Sequence, residues 1–145
     1  MSLKYFSSIP LKNNKLGAYL AGLIEGDGSI IVPETVRNDK GKLQYPRIKI
    51  TFVNKDEPLA NKLMEVLGAG TIEWSPNKMY FNLLIQDTKT LYLVANLING
   101  YMRTPKIEAL HRLIDWLNNR PDSPEITKRR NLRFGAPNFS WAFGP

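Results

Sequence analysis

Leu20-Ala21-Gly22-Leu23-Ile24-Glu25-Gly26-Asp27-Gly28 is the stretch on which the fold turns. Between Lys15 and Glu25, Leu16, Leu20, Leu23 and Ile24 recur at helical spacing, which predicts a helix with one apolar face on a core. Ala18, Gly22 and Gly26 recur every four residues as a second stripe, with Gly17 and Ala21 beside it. Glycine in a helix costs up to ~1 kcal/mol relative to alanine, so small residues kept at this spacing predict the close approach of another backbone. Lying tightly on its own sheet is the other use such a helix could have. The stretch ends on two acids divided by glycine, in a chain with 20 Lys+Arg against 13 Asp+Glu and a net charge of +7.

Downstream, Ser29 to Val36 reads as a strand and Arg37-Asn38-Asp39-Lys40-Gly41-Lys42 as a polar turn. Leu43 to Val53 alternates, with Ile48, Ile50 and Phe52 on one face and Arg47, Lys49 and Thr51 on the other. Asp56 to Leu67 has the spacing of an amphipathic helix that puts Leu59, Leu63, Val66 and Leu67 inward and stops at Gly68-Ala69-Gly70. A hairpin of Thr71 to Ser75 and Met79 to Gln86 turns at Pro76-Asn77-Lys78, with Met79, Phe81, Leu83 and Ile85 as its apolar side. Two more helices are expected over Thr88 to Asn99 and Pro105 to Asn118.

Helix, two strands, helix, two strands and further helices make an α+β layout around a four-stranded antiparallel sheet, covered by helices on one face. The other face would carry Thr35, Arg37, Arg47, Lys49, Thr51, Ser75, Lys78, Tyr80 and Asn82. Such a ribbon of donors, acceptors and positive charge can enter a DNA major groove, and it can equally be a solvated sheet face. Residues 1–14 read as an arm, 15–119 as one domain, and 120–145 as a basic, proline-containing tail or linker. In that tail Lys128, Arg129, Arg130 and Arg133 suit either a DNA backbone or open solvent.

At 145 residues the chain has the size of one domain, and 43% hydrophobic and 23% charged residues are ordinary for a folded one. The cationic excess favours a polyanionic partner, though a merely basic surface would show the same balance. The absence of cysteine excludes disulfides, thiolate metal sites and a cysteine nucleophile, and fits an intracellular setting. No apolar run nears the ~20 residues of a membrane span, and the N-terminus makes a poor targeting signal, so no membrane partner is expected. His111, the single histidine, reads as surface or partly packed.

Residues two apart on a helix point in nearly opposite directions, so Glu25 and Asp27 cannot serve one site together. Asp27, at the end of the last turn, is placed to leave the protein, and Glu25 is read as structural. A carboxylate at a helix C-terminus faces the negative end of the macrodipole, and nearby phosphate worsens its position. A hard divalent cation relieves both, since oxygen ligands hold Mg²⁺ while it binds phosphate oxygens. Pairing through the small-residue face, assigned to Ala18, Ala21, Gly22 and Glu25, would bring two copies of Asp27 together for two-metal hydrolysis of a phosphodiester.

The nine residues from Leu20 to Gly28 resemble the motif of the LAGLIDADG homing endonucleases, matching it at seven positions and differing at two, Glu25 for Asp and Gly26 for Ala. The likeness extends over an αββαββα order from Lys15 to Asn118, and Tyr45 to Leu59 (YPRIKITFVNKDEPL) and Asn99 to Lys106 (NGYMRTPK) are similar to organellar intron-encoded members. It implies a sheet saddle on double-stranded DNA, motif helices at a two-fold or pseudo-two-fold interface, and metal-dependent cleavage of a long target, with no small-molecule substrate. Asp27 then falls on the metal-binding acid and Gly26 on the backbone metal contact, for Mg²⁺ with Mn²⁺ or Ca²⁺ as alternatives at the same place. The resemblance puts Phe52 where several relatives hold a polar side chain, with Asn54 and Lys55 just beyond, and makes Arg103 and Lys106, in that order, the basic candidates. One copy of the motif implies a homodimer on a roughly palindromic target, or the first half of a two-motif protein. An intron-encoded, mitochondrial product is the corresponding expectation. The alternative is a protein that uses the same saddle to bind nucleic acid without cutting, such as an intron maturase or a regulator.

Overall fold

A computed structural model describes residues 13–121 and 123–130. The elements are helix α1 (Asn13–Asp27), strands β1 (Gly28–Ile31) and β2 (Arg47–Val53), a 3-10 turn at Asn54–Asp56, helix α2 (Glu57–Leu67), strands β3 (Thr71–Trp74) and β4 (Tyr80–Ile85), and helices α3 (Thr88–Ile98) and α4 (Ile107–Asn118). The sheet is antiparallel throughout, in the order β1-β2-β4-β3, so the α+β layout read from the sequence is the observed one. Ile30, Ile48, Ile50, Phe52, Phe81, Leu83 and Ile85 point from one face of the sheet into the core, where the Phe52 and Phe81 rings stack at 5.4 Å.

At about 100° per residue, Gly17, Leu20, Ala21 and Ile24 fall on one side of α1, Gly22 and Gly26 on the far side, and Ala18 on the flank between them. Leu16, Leu20, Ala21 and Ile24 are accordingly buried, while Leu23, expected among them, is only half-buried. Gly17 is where α1 crosses α3: a Cβ there would lie 1.9 Å from the Leu97 carbonyl oxygen. Gly28 lets α1 pass directly into β1, since a Cβ would lie 2.8 Å from the Lys49 carbonyl oxygen of the neighbouring strand.

Other boundaries follow local chemistry. Gly68, at φ 81°, ends α2 in the left-handed region and donates its N–H to the Met64 carbonyl. The Asp87 carboxylate caps α3 by accepting from the Thr90 N–H and hydroxyl. The first strand is half as long as expected: β1 stops at Ile31, because Pro33 cannot donate to the ladder. Residues 32–46 form a self-bonded excursion in which Asn38 Oδ1 accepts from the Lys40 and Lys42 N–H groups and Arg37 bridges only to Leu43.

The described tail residues lack helix or strand but are packed on the domain. Ile126 is buried, its backbone exchanges two hydrogen bonds with the Asn118 amide, and Lys128 pairs with Asp115 at 2.7 Å. Arg130 reaches Glu108 at 3.4 Å, and Arg129 lines a cavity with Asn14, at the opposite end of α1 from Asp27. The tail residue Arg133 lies outside the described residues.

Candidate active site and nucleic-acid face

The sheet face away from the core carries Ser29 and Ile31 on β1, Arg47, Lys49, Thr51 and Val53 on β2, Tyr80, Asn82 and Leu84 on β4, and Thr71 and Glu73 on β3. Arg47, Thr51 and Tyr80 are exposed, and Lys49 and Asn82 are half-buried among their neighbours. Thr51 and Asn82 stand opposite each other in the ladder, and the threonine hydroxyl donates to Asn82 Oδ1 at 2.7 Å. Such a link fixes the amide, so Nδ2 is the donor presented outward.

Four positions expected on this face lie elsewhere. Thr35 and Arg37 belong to the 32–46 excursion, where the Thr35 hydroxyl donates to the Arg37 carbonyl and Arg37 Nη1 donates to the Gly41 carbonyl. Ser75 is only 7% exposed, and its hydroxyl is consumed by the β3–β4 turn, donating to Asn77 Oδ1 and accepting from the Tyr80 N–H. Lys78 sits in the turn itself at φ 60°, its ammonium 5.7 Å from the Trp74 ring centre. Because that residue reverses the chain, the pleat begins at Tyr80, and Met79, expected inward, is 62% exposed. Conversely, Ile31, Val53 and Leu84 share the polar face. Carrying the two-residue alternation through every position of β2 and β4 would have found Val53 and Leu84.

Asp27 is exposed as the last residue of α1 and makes no ion pair among the described residues. It shares a cavity of about 230 Å³ with Thr51, Phe52, Val53, Asp56 and Tyr80, so the acid stands at one edge of the cationic face. Asp56, on the 3-10 turn before α2, is a second carboxylate that the sequence reading missed. Phe52 points its ring into the core at 5% exposure, so the cavity has aromatic carbon where polar relatives were expected. Asn54 ties the turn instead, donating from Nδ2 to the Lys78 carbonyl.

The other acid of the motif faces inward along the surface. Glu25 Oε2 accepts from the Arg103 and Thr104 backbone N–H groups, each at 2.6 Å, which is a structural use of its charge. Lys106 follows closely in this loop, and its Nζ donates to the carbonyls of Ile24 at 3.1 Å, Glu25 at 3.0 Å and Gly28 at 2.7 Å. Of the two basic candidates, Lys106 brings its charge to the end of α1, and Arg103 gives the helix its backbone N–H. On the open side of α1, a Cβ at Gly22 or Gly26 would find no atom within 4 Å. Ala21 is fully buried in the chain's own core and cannot belong to that open side, which leaves Ala18, Gly22 and Glu25 of the assigned pairing residues accessible.

Hard oxygen donors, the Asp27 carboxylate and the carbonyl of Gly26, both residues being exposed, suit Mg²⁺, Mn²⁺ or Ca²⁺. No group of three or more His, Cys, Asp or Glu side chains able to hold a metal occurs among the described residues. One chain would thus offer two donors of the roughly six or more that such a cation takes, and phosphate oxygens or a second copy would add others.

The model of the LAGLIDADG endonuclease family matches residues 20–117. Over 123 residues the chain is 42% identical to the intron-encoded DNA endonuclease aI3 of Saccharomyces cerevisiae, covering 85% of this chain and 29% of that protein. The chain therefore spans less than a third of that relative's length. Among solved structures, the homing endonuclease I-CvuI in complex with the I-CreI target superposes with a TM-score of 0.57 at 20% identity, covering 74% of this chain and 70% of its own. The meganuclease I-SmaMI bound to DNA gives 0.56 at 21% identity over 71% of this chain and 38% of its own. The homing endonuclease I-TnaI gives 0.52 at 16% identity, over 74% and 89% respectively. The matched segment opens at the first residue of the motif and runs into the last turn of α4, and the chain belongs to the LAGLIDADG endonuclease family.

Proposed function

We propose that this chain is a site-specific double-stranded DNA endonuclease acting as a pair of copies related through the open side of α1. The observation that carries the proposal is the placing of Asp27. An exposed carboxylate ends a helix whose outer side is open at Gly22 and Gly26, beside a strand face bearing Arg47, Lys49, Thr51 and Asn82. Arg47 and Lys49 attract and seat the phosphate backbone, while Thr51, Tyr80 and Asn82 meet base edges. The Asp27 carboxylate and the Gly26 carbonyl would hold a divalent cation, Mg²⁺ by preference. When bound, it supplies a Lewis acid and an activated water for phosphodiester hydrolysis. Pairing through Ala18, Gly22 and Gly26 sets two such sites across two strands, and a two-fold pair reads a roughly palindromic target. The 42% identity to an intron-encoded endonuclease supports an intron-encoded product, and with it action in the mitochondrion.

A selection for cleaved DNA sites tests the reading, followed by Asp27→Asn on the selected target. Removing a metal-binding acid should lower cleavage at least about a hundredfold, more than loss of a supporting residue around a metal does. Target binding should persist, and cleavage retained by the variant would remove Asp27 from the reaction. Burial of Phe52 in the cavity favours a second reading, a binding protein that does not cut. Tight, salt-sensitive, specific binding without cleavage in Mg²⁺ or Mn²⁺ would establish it instead.

A further inference from the structure

The end of α1 and the loop after α3 hold each other from both sides. Glu25, on the helix, gives its side-chain oxygen to two loop N–H groups, those of Arg103 and Thr104. Lys106, at the end of the loop, gives its ammonium to backbone carbonyls at the helix end. An ammonium has three N–H donors, and here the Ile24, Glu25 and Gly28 carbonyls take all of them. None remains for an attacking water or a phosphate oxygen. Nor does Lys106 form an ion pair with Asp27 among the described residues.

The bonded carbonyls bracket Gly26 and omit it. The last carbonyls of a helix lack intrahelical partners and carry the negative end of its dipole. A cation spread over Ile24, Glu25 and Gly28 removes much of that cost without engaging the Gly26 carbonyl or the Asp27 carboxylate, which belong to exposed residues. Gly28 is held in place independently, wedged between Lys49 and Ile24, so the Lys106 bond to its carbonyl fixes the chain on the far side of Asp27. Residues 26 and 27 are thereby clamped between two anchored points.

We propose that Lys106 is a positioning residue, not the basic group of the reaction: with Glu25 it holds the Gly26 carbonyl and the Asp27 carboxylate as a preformed cation half-site. The inference rests on the endonuclease reading for the purpose of that half-site, and the two are separable by experiment. In the full chain labelled with ¹⁵N, Mn²⁺ is titrated alone, and paramagnetic broadening of the Gly26, Asp27 and Gly28 amide signals gives the half-effect concentration. Lys106→Met should raise that concentration about tenfold or more, the effect of losing a residue that supports a metal ligand. Lys106→Arg, which keeps donors for the carbonyls, should recover part of the loss. On a selected target, Lys106→Met should raise the Mg²⁺ midpoint of cleavage and leave the rate at saturating Mg²⁺ within about threefold, a split expected of positioning.

A rate at saturating Mg²⁺ that falls a hundredfold with the Mn²⁺ and Mg²⁺ midpoints unchanged would make Lys106 catalytic and overturn the proposal. If Lys106→Met does not fold, Glu25→Gln loosens the same clamp from the helix side and should move the Mn²⁺ midpoint in the same direction; an unmoved midpoint overturns it. Absence of selective broadening at residues 26–28 in the wild-type chain overturns both the clamp and the metal site. Broadening that Lys106→Met leaves unchanged overturns the clamp alone.

Discussion

The two sides of α1 use the same residue types for opposite purposes. On the inner side Gly17 and Ala21 admit the backbone of α3 and the chain's own core, so closely that a Cβ at Gly17 would stand 1.9 Å from the Leu97 carbonyl oxygen. On the outer side Gly22 and Gly26 are exposed and have open space where a Cβ would go, and Ala18 beside them is half-buried. Small residues therefore report close approach without saying of what. One side is required for folding, and the other is available for a second copy.

The largest effect that would separate the sides is at Gly17. Gly17→Val should cost about 3 kcal/mol or more, the upper range for forcing extra volume into a packed site, and urea unfolding measures it. A stable Gly17→Val protein would mean that α1 and α3 can part, and the contrast between the sides would fail. Next is Gly22→Leu, whose side chain has room in the isolated fold. Its unfolding midpoint should stay near that of the parent, while sedimentation shows self-association weakened about tenfold or more, roughly 1.4 kcal/mol. Equal weakening by a bulky residue on an unrelated exposed position would sink the assignment of the outer side.

The smallest effect concerns the inner packing further along the chain. Burial on α4, together with the Arg130 cation, lowers the His111 pKa from its usual 6.5. The unfolded chain then binds this proton at a higher pH than the folded one. Stability is therefore complete above about 6.5 and declines as the pH falls through that value. Between pH 7 and pH 5 this site should lower the unfolding midpoint by a few degrees at most, and His111→Gln should flatten that part of the profile. An unchanged profile in the variant would mean that the 123–130 segment does not hold charge against His111.

Much of the molecule was legible because its signals are local. A 3.6-residue period with turn residues around it placed the α-helices of the described residues, and the alternation of Ile48, Ile50 and Phe52 against Arg47, Lys49 and Thr51 gave β2 its two faces. Pro33 was the visible warning that the first strand would end early, and reading through it put Thr35 and Arg37 on the sheet when they belong to the loop. Ser75 had the correct parity for the polar face. Its burial followed from a turn that spends its hydroxyl, which parity cannot express.

The sequence by itself determined the order of elements, the cationic sheet face, the family and the acid at the end of α1, since each depends on residues a few positions apart. Tertiary structure alone decided which glycine meets a backbone and what Lys106 does with its donors. Those outcomes rest on distances between groups remote in the chain: 82 residues separate Lys106 from Ile24, and 78 separate Arg103 from Glu25. A hydrogen bond of about 3 Å tolerates little error in such a distance, and only the packed arrangement of α1, α3 and the sheet sets it.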